Sequence, residues 1–445
     1  MKTWIVTAFA AAAIVFAGAM PASAHAYIVD ATPAAGATLA NPPATVTIQF
    51  DEPVNLPDGP AIVVRDAAGR RVDKNDAAID PNDATAVVAH LTVLARGLYQ
   101  VQWRVISADT HVVHGTYAFG FGSAPAGSAP AEDTFYDPSS ALASVLRWLA
   151  LAGLLAAAGA VSFNVLLRAG DPAAFAGAAT WQTRGGCLLA LFATAALFIV
   201  QSAASAGSLS AGTSASALAG TLHSPFGIFA LVRVLAVVVI FLLSLSPTAL
   251  AQAVSALAAA AALAALSLSG HATSVPAYGT HATLELADWL HLLSTSAWIG
   301  GLGVLAAGLA RAHADLVDRE RRAWLARFTR LALPCALLTI LTGAYATLAH
   351  EPHLVLLLST HWGVVLAIKV ALVLLLLALG ARHLRAGRGA LRFGSATLFA
   401  EIVVAIAILF TTGVLVGQSP PACMFMPPGT TMPANMAMPP GMQMC

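Results

Sequence analysis

The chain has 445 residues, of which 58% are hydrophobic and only 10% are charged. Soluble globular proteins carry roughly 25% charged residues, so the composition excludes an ordinary soluble enzyme. The net charge of +1 argues against a basic surface that would bind nucleic acid. The length allows two or three domains, and together these features indicate a multi-domain membrane protein.

The first 24 residues are typical of a secretory signal peptide. Lys2 precedes an apolar run at 4–19, and Ala22-Ser23-Ala24 gives a small-residue cleavage site. Cleavage would make His25 the first residue of the mature protein. The alternative is an uncleaved first membrane helix, but the polar, strand-like sequence that follows favours cleavage.

Residues 25–123 are predicted to form an all-β domain, because short alternating runs are separated by Pro and Gly. The pattern indicates a small antiparallel sandwich or barrel. Residues 124–140 are predicted as a linker, rich in Ala, Pro, Gly and Ser at its start. The predicted strands are 46–50, 61–64, 86–89 and 99–105.

The region 141–418 is predicted to be an all-α membrane domain of about eight transmembrane helices in a lipid bilayer. Each apolar run approaches the ~20 residues that cross a bilayer. Cys187 and Cys335 lie in these runs and are expected to be plain packing residues. The predicted spans are 141–167, 185–206, 226–246, 248–269, 286–309, 328–349, 362–380 and 395–417.

Basic residues predict the orientation of these spans. Of 14 Lys and Arg residues after residue 150, twelve fall in or beside the first, third, fifth and seventh loops between spans, and none falls in the other loops. Such residues concentrate on the cytoplasmic side of membranes. We therefore expect the β-domain and the C-terminal tail to lie outside the inner membrane, in the periplasm.

The two remaining basic residues, Arg233 and Lys369, lie inside the third and seventh spans. We expect them to snorkel to the membrane surface or to pair with a carboxylate. Each follows a glycine by six positions, and residues 147–151 (RWLAL) resemble residues 288–292 (DWLHL). A four-plus-four internal repeat explains both correspondences. Chance similarity between apolar helices is the alternative.

Histidines mark candidate metal sites in the membrane domain, since imidazole binds copper, zinc, iron and nickel. Of nine histidines after residue 150, six fall in outer loops or at span edges. The spacing of His281, Glu285, Asp288 and His291 puts them on one helix face, and with His271 they form a candidate metal relay. For the carboxylates the alternative is a polar helix N-terminus. The six histidines are His223, His271, His281, His350, His353 and His361.

The tail at 419–445 contains seven of the nine methionines of the chain, with two cysteines and many Pro and Gly residues. Thioether and thiolate ligands select Cu(I), so the tail is a candidate Cu(I) site. Accidental Met content in a low-complexity segment is the alternative, and a disulfide between the cysteines is also open. The candidate ligands are Cys423, Met424, Met426, Met432, Met436, Met438, Met442, Met444 and Cys445.

Three residues of the β-domain are candidate ligands for Cu(II). Cleavage would give His25 a free α-amino group, which can chelate one ion together with its imidazole. Asp109 and His111 are two positions apart, so they would point the same way from a strand. Nitrogen and carboxylate ligands fit tetragonal Cu(II). His114 is a spare ligand or a surface residue, and His90 is expected to pack beside the strand 86–89.

The chain resembles a fusion of the copper resistance domains CopC and CopD. The CopC resemblance rests on His25-Ala26-Tyr27, on residues 50–54 (FDEPV) and on residues 97–115. The CopD resemblance rests on residues 269–272 (SGHA), 298–302 (WIGGL) and 341–345 (LTGAY). The CopC resemblance implies a cupredoxin-like or Ig-like β-barrel with His25, Asp109 and His111 as Cu(II) ligands. The β-domain has no methionine, so the Met-rich Cu(I) site of some CopC proteins is absent and the tail is a candidate replacement.

These features predict a copper transport or resistance protein rather than an enzyme, with copper ions as cargo and periplasmic copper chaperones as candidate partners. The alternative is a membrane redox protein that holds haem between histidines, which a Soret band would reveal. A third hypothesis makes the β-domain copper an oxidative catalyst. Asp109 argues against this third hypothesis, because its carboxylate would fill the coordination position on copper that oxygen chemistry needs.

Overall fold

The computed structural model describes two regions, one all-β and one helical. The described residues are 28–50, 53–56, 60–107, 112–122, 138–167, 173–206, 209–246, 248–269, 279–312, 318–350, 361–387, 395–416, 422–424 and 442–444. The predicted signal peptide and most of the linker and tail lie outside these ranges.

The β-region contains eight strands, and its four predicted strands are confirmed. The strands are β1 (Ile28–Thr32), β2 (Thr38–Leu39), β3 (Thr45–Phe50), β4 (Ile62–Asp66), β5 (Ala78–Asp80), β6 (Asp83–His90), β7 (Gly97–Ile106) and β8 (Val112–Phe121). They form two four-stranded sheets, in the orders β1-β3-β6-β5 and β2-β8-β7-β4. The region is therefore a two-sheet sandwich, consistent with the predicted class.

The core of the sandwich follows from alternation along its strands. Val46, Ile48 and Phe50 of β3 are buried, with the intervening residues more exposed. In β7 the buried Val101 pairs with Tyr117 of β8, so both strands present apolar side chains to the same core. This period of two is the signature of strands with one buried face.

His90 differs from its prediction. It ends β6, but its side chain is 57% exposed and does not pack beside the strand. Its Nδ1 atom lies 3.0 Å from the Asp76 carboxylate, which also accepts the His90 backbone N–H. The contact with Asp76 explains the difference, because a ring bonded to an exposed carboxylate stays at the surface instead of packing against the sheet.

Asp73 is the buried carboxylate of the sandwich. Arg71 donates to it through Nε and Nη2, and it accepts the backbone N–H groups of Val64 and Asn75. Burial by itself raises the pKa of Asp73, but these hydrogen bonds outweigh burial and hold the pKa below its usual value. The lowered pKa means that ionised Asp73 stabilises the folded domain above the pKa of the unfolded chain, and that this stability is lost as pH falls through the folded pKa.

Replacing Asp73 by Ala should destabilise the sandwich by about 2 kcal/mol, because buried donors lose their acceptor. The free energy of unfolding of the variant should also differ less between neutral and acidic pH than that of the unaltered domain. Urea unfolding of a 25–123 fragment, followed by fluorescence of Trp103, measures both effects. Arg70→Ala, which removes only the exposed partner of Asp66, should cost less than about 1 kcal/mol. Equal losses in the two variants would contradict this role of Asp73.

The helical region has eight candidate membrane spans, as predicted. Its helices are α1 (Pro138–Leu167), α2 (Ala173–Ala206), α3 (Leu209–Gly212), α4 (Ala215–His223), α5 (Pro225–Leu243), α6 (Ala249–Ser267), α7 (His281–Thr295), α8 (Gly301–Arg311), α9 (Asp318–His350), α10 (His361–Gly387) and α11 (Ser395–Leu415). A π-helical turn, Ser296–Gly300, joins α7 to α8 within the fifth span.

Two helices begin ten or more residues before their predicted spans. The second starts at Ala173 rather than 185, and the ninth starts at Asp318 rather than 328. Apolar content marks where a helix enters hydrocarbon, whereas backbone hydrogen bonding continues into polar sequence beyond it. Arg184 therefore lies within α2. Cys187 and Cys335 are free thiols within the helices, as expected of packing residues.

The π-helical turn packs closely on α1. A Cβ atom added at Gly159 would overlap the carbonyl oxygen of Ser296, and one added at Gly300 would overlap that of Leu155. Gln182 of α2 donates from Nε2 to the carbonyl oxygens of Gly300 (2.7 Å) and Ala156 (3.0 Å). These contacts fix the C-terminal end of α7 against two neighbouring helices.

Candidate metal sites

One end of the sandwich brings together the chain segments next to the predicted Cu(II) ligands. Ile28, the first residue of β1, pairs with Phe50 at the end of β3. The Phe50 ring contacts the Trp103 ring of β7 edge-to-face, with centroids 5.4 Å apart. Asn55 and Ile106 exchange two backbone hydrogen bonds of 2.8 Å. The start of β1 and the end of β7 therefore lie at the same end of the domain.

The connection from β7 to β8 also begins at this end. Ile106 pairs directly with Val112, so residues 107–111 form a short connection between adjacent strands. Ser107, its first residue, is fully buried. His25, Asp109 and His111 lie outside the described residues, but each is within three positions of a described residue at this end of the sandwich. His114 pairs with Arg104, two positions further into the sheet.

The candidate relay residues of the membrane domain lie on α7, except His271, which is outside the described residues. His281 is the first residue of this helix, and Thr280 and Thr283 cap it through a reciprocal pair of hydrogen bonds. Glu285 is only 9% exposed and takes no part in the cap. Its carboxylate is close enough to interact electrostatically with His281, whose Nδ1 atom is buried without a described hydrogen-bond partner.

His291 lies deeper along the same face and is held by α9. Its Nδ1 atom is 3.0 Å from the Thr342 hydroxyl, and that hydroxyl donates to the Leu338 carbonyl oxygen at 2.7 Å. A hydroxyl has a single proton, so Thr342 accepts the Nδ1–H of His291. In the neutral imidazole this leaves Nε2 unprotonated, and an unprotonated ring nitrogen is the form that binds a metal ion.

Two helices place hydroxyl groups against α7. From α6, the Ser267 hydroxyl donates to the carbonyl oxygen of Glu285 at 3.1 Å. From α9, the Thr339 hydroxyl lies 2.8 Å from that of Ser294. The sequence analysis missed Thr339, Thr342 and Ser267, because short hydroxyl side chains are common in apolar helices and carry no distinctive spacing.

Arg233 lies inside the third span and is bonded to a hydroxyl group. It is buried, and its Nη1 atom donates to the Ser269 hydroxyl at 2.7 Å. Within the described residues, neither Arg233 nor Lys369 forms an ion pair with a carboxylate, so pairing with a carboxylate stays a prediction for both.

The α7 face carries a row of candidate ligands and not a closed metal cage. Among the described residues, no group of three or more His, Cys, Asp or Glu side chains is arranged to hold a metal ion. In the tail, the backbone at Cys423 and Met424 pairs in parallel with that at Gln443 and Met444. The other candidate tail ligands, apart from Met442 at the start of the second strand, lie outside the described residues.

Three family profiles match the chain in succession. They are the CopC domain at residues 28–122, the copper resistance protein D-like N-terminal domain at 137–278, and copper resistance protein D at 322–415. Copper resistance protein C of Pseudomonas syringae pv. tomato is 33% identical over 127 residues, which are 26% of this chain and 94% of that protein. The chain belongs to the CopC–CopD copper resistance family. The predicted family is thereby confirmed.

A relative with both regions extends the similarity over most of the chain. The copper transport protein CutJ of Bacillus subtilis (strain 168) is 29% identical over 414 residues, 89% of this chain and 75% of that protein. Among solved structures, CopC from Methylosinus trichosporium OB3b is 31% identical, with 22% of this chain and 93% of that chain covered and a TM-score of 0.20. PcoC, a methionine-rich copper resistance protein from Escherichia coli, is 27% identical over 22% of this chain and 99% of that chain, with a TM-score of 0.19.

Proposed function

We propose that this protein carries copper across the inner membrane: the CopC-like domain captures Cu(II) outside, and the CopD-like domain passes copper inward along α7. The observation that carries the proposal is the hydrogen bond from His291 to Thr342. It leaves Nε2 of His291 as a ligand atom inside the membrane domain, on the same helix face as two acidic side chains. An ionisable group at this depth is costly unless it is used.

The proposed Cu(II) site consists of the His25 amine and imidazole, the Asp109 carboxylate and the His111 imidazole. The fold supports this site, because the start of β1 and the connection from β7 to β8 lie at the same end of the sandwich. Because Ile28 is bonded to β3 and Ile106 to Asn55, the chain segments that carry the ligands start from positions held by backbone hydrogen bonds. Backbone that is already held in place next to a site lowers the cost of binding there.

The proposed domain organisation follows the predicted boundaries and orientation: a cleaved signal peptide at 1–24, the copper-binding domain at 25–123, a linker at 124–140, the membrane domain at 141–418 and a periplasmic tail at 419–445. Support for the orientation comes from Arg184, Arg311 and Arg327. Each lies in a helical segment next to a predicted inner loop, and the guanidinium groups of Arg311 and Arg327 lie over the rings of Trp181 and Trp324. Arginine and tryptophan together are typical of a membrane surface.

Along α7 we propose two successive stations for the cargo. The outer station is His281 with Glu285, and the inner station is Asp288 with His291. Each combines an imidazole with a carboxylate, and the spacing along the helix brings consecutive side chains within one turn of each other. Stations with few ligands suit transport, because an ion that binds weakly at several sites can leave each of them.

The Cu(II) site can be tested in a 25–123 fragment by electron paramagnetic resonance and copper titration. One Cu(II) should bind with a tetragonal signal that shows nitrogen coupling. His111→Ala should weaken binding more than about tenfold, and Asp109→Asn should weaken it less, because an oxygen donor remains. One residue added before His25 should be as harmful as His111→Ala, and His114→Ala should change little. Unchanged binding by the extended fragment would exclude the amine ligand.

The α7 stations can be tested by copper uptake into vesicles containing the full-length protein. His291→Ala and Asp288→Asn should each reduce uptake more than about tenfold. Thr342→Val should reduce uptake about tenfold, because the Nδ1–H group of His291 loses its hydrogen-bond acceptor and no longer fixes the orientation of the ring. His223→Ala is the matched control, because His223 is exposed and bonds only to its own helix. Uptake by His291→Ala equal to that of His223→Ala would contradict the proposal.

The methionine-rich tail is proposed to bind Cu(I) at the outer surface. Deleting residues 421–445 should lower the number of Cu(I) ions bound under reducing conditions, because thioether and thiolate ligands prefer that ion. Cu(II) binding by the CopC-like domain should be unchanged. An equal Cu(I) stoichiometry with and without the tail would show that its methionines are not ligands.

A further inference from the structure

Helix α9 packs along α7 and contacts it near each of the two proposed stations. Near the outer station, Tyr345 reaches the first turn of α7, where its hydroxyl lies 2.8 Å from that of Thr283. At the inner station, Thr342 accepts the Nδ1–H group of His291. Both contacts come from the segment 341–345 (LTGAY) of α9, so one short segment supports α7 at two levels.

The bond between Tyr345 and Thr283 completes the cap of α7. The Thr283 hydroxyl donates its only proton to the Thr280 carbonyl oxygen at 2.8 Å and accepts the Thr280 backbone N–H at 3.0 Å. Tyr345 is therefore the donor in its bond to Thr283. Gly279 has a φ of +88°, and a Cβ atom added there would overlap the Tyr345 hydroxyl. Tyr345 thus contacts the residues on both sides of Thr280, which directly precedes His281.

At the inner station, Gly343 leaves the space that the His291 ring needs. A Cβ atom at position 343 would lie 3.2 Å from Cε1 and 3.6 Å from Nδ1 of His291. The first distance is shorter than the optimal separation of two carbon atoms. Glycine inside a helix is less favourable than alanine, and the close approach of the ring gives the physical reason for it here. The residue that bonds the ring, Thr342, is therefore followed by one that makes room for it.

We propose that Tyr345 and Gly343 are positioning residues of the α7 route. Tyr345 holds the outer station in place through Thr283. Gly343 allows the His291 ring the orientation in which it bonds to Thr342. This inference rests on the proposed function and deepens it, because groups that orient metal ligands affect metal binding nearly as much as the ligands do.

A double-mutant cycle in thermal unfolding tests the role of Gly343 without copper. In the full-length protein, Gly343→Ala should lower the unfolding temperature, because the added methyl group meets the His291 ring. In the His291→Ala background the same change should raise the unfolding temperature, because alanine is the better helix former. Gly185→Ala, at a glycine with open space around it, should raise the temperature in both backgrounds. Equal effects of Gly343→Ala in the two backgrounds would overturn its role, since coupled residues depart from additivity.

Copper uptake into vesicles separates the two positioning roles. Uptake of Cu(I), kept reduced with ascorbate, and of Cu(II) is measured over a range of concentrations. Tyr345→Phe, which removes only the hydroxyl, should raise the half-saturating concentration about tenfold, because the first ligands that the ion meets are less well held. Gly343→Ala should instead lower the maximal rate about tenfold, because the ion has already bound when it reaches His291. Thr347→Val is the matched control on α9 and should change neither quantity, since the described bond of Thr347 is to the Gly343 carbonyl oxygen of its own helix.

Variants of Thr283 test whether Tyr345 acts through it. Thr283→Ser keeps the hydroxyl and should transport copper like the unaltered protein. Thr283→Val should raise the half-saturating concentration as Tyr345→Phe does, and the double variant should be no worse than Thr283→Val alone. Additive effects of the two changes would overturn the role of Tyr345.

The outcomes distinguish this inference from the proposed function. If His281→Ala and His291→Ala transport copper normally, the α7 route itself is wrong. If those two variants fail to transport while Tyr345→Phe and Gly343→Ala behave like Thr347→Val, the route stands and the positioning roles are rejected. An equal loss of maximal rate in Tyr345→Phe and Gly343→Ala, with unchanged half-saturating concentrations, would show a general structural defect and would also overturn the proposal.

Discussion

The low dielectric of the hydrocarbon layer is the constraint on which the helical region depends. Water is absent there, so every backbone N–H and C=O group must bond within the protein, and helices are the simplest solution. The same constraint acts on side chains. His291 of α7, for example, is bonded to the Thr342 hydroxyl of α9. Polar residues in this region consequently gather on one face of α7.

The π-helical turn after α7 shows how backbone packing supports that face. Gly159 and Gly300 allow α1 and the turn to approach each other more closely than any side chain would permit. Gln182 then satisfies the Gly300 carbonyl oxygen. The C-terminal end of α7 is fixed by these contacts, while its polar residues are bonded to α6 and α9. A helix supported on several sides can keep ligand atoms in place without a closed set of metal ligands.

In the β-region, strand pairing brings distant segments of the chain together. Phe50 and Trp103 belong to different sheets, and their contact ties the end of β3 to β7 in the core. The ladder from β1 to β3 and the bridge from Asn55 to Ile106 then bring the beginning of the domain to the connection that contains Asp109 and His111. Chain segments far apart in sequence thus meet at one end of the domain, although neither sheet alone would bring them together.

The sequence alone determined the organisation of the chain. Long apolar runs require membrane helices, alternating runs require strands, and the positions of Arg and Lys predict which loops lie inside, because each of these signals is local and strong. The motifs around His25, at 97–115 and at 298–302 were sufficient to indicate the family. The helix spacing of His281, Glu285, Asp288 and His291 also predicted their common face.

The tertiary structure decided which groups meet that face. Nothing in the sequence indicates that Thr342 lies beside His291, since the two are 51 positions apart and threonines are ordinary in apolar helices. The environments of Arg233 and Lys369 could not be distinguished either, because both follow a glycine in similar apolar spans. Only the folded chain shows that Arg233 bonds to Ser269, just after α6. Contacts between helices depend on packing in three dimensions, which the periodicity of a single helix does not encode.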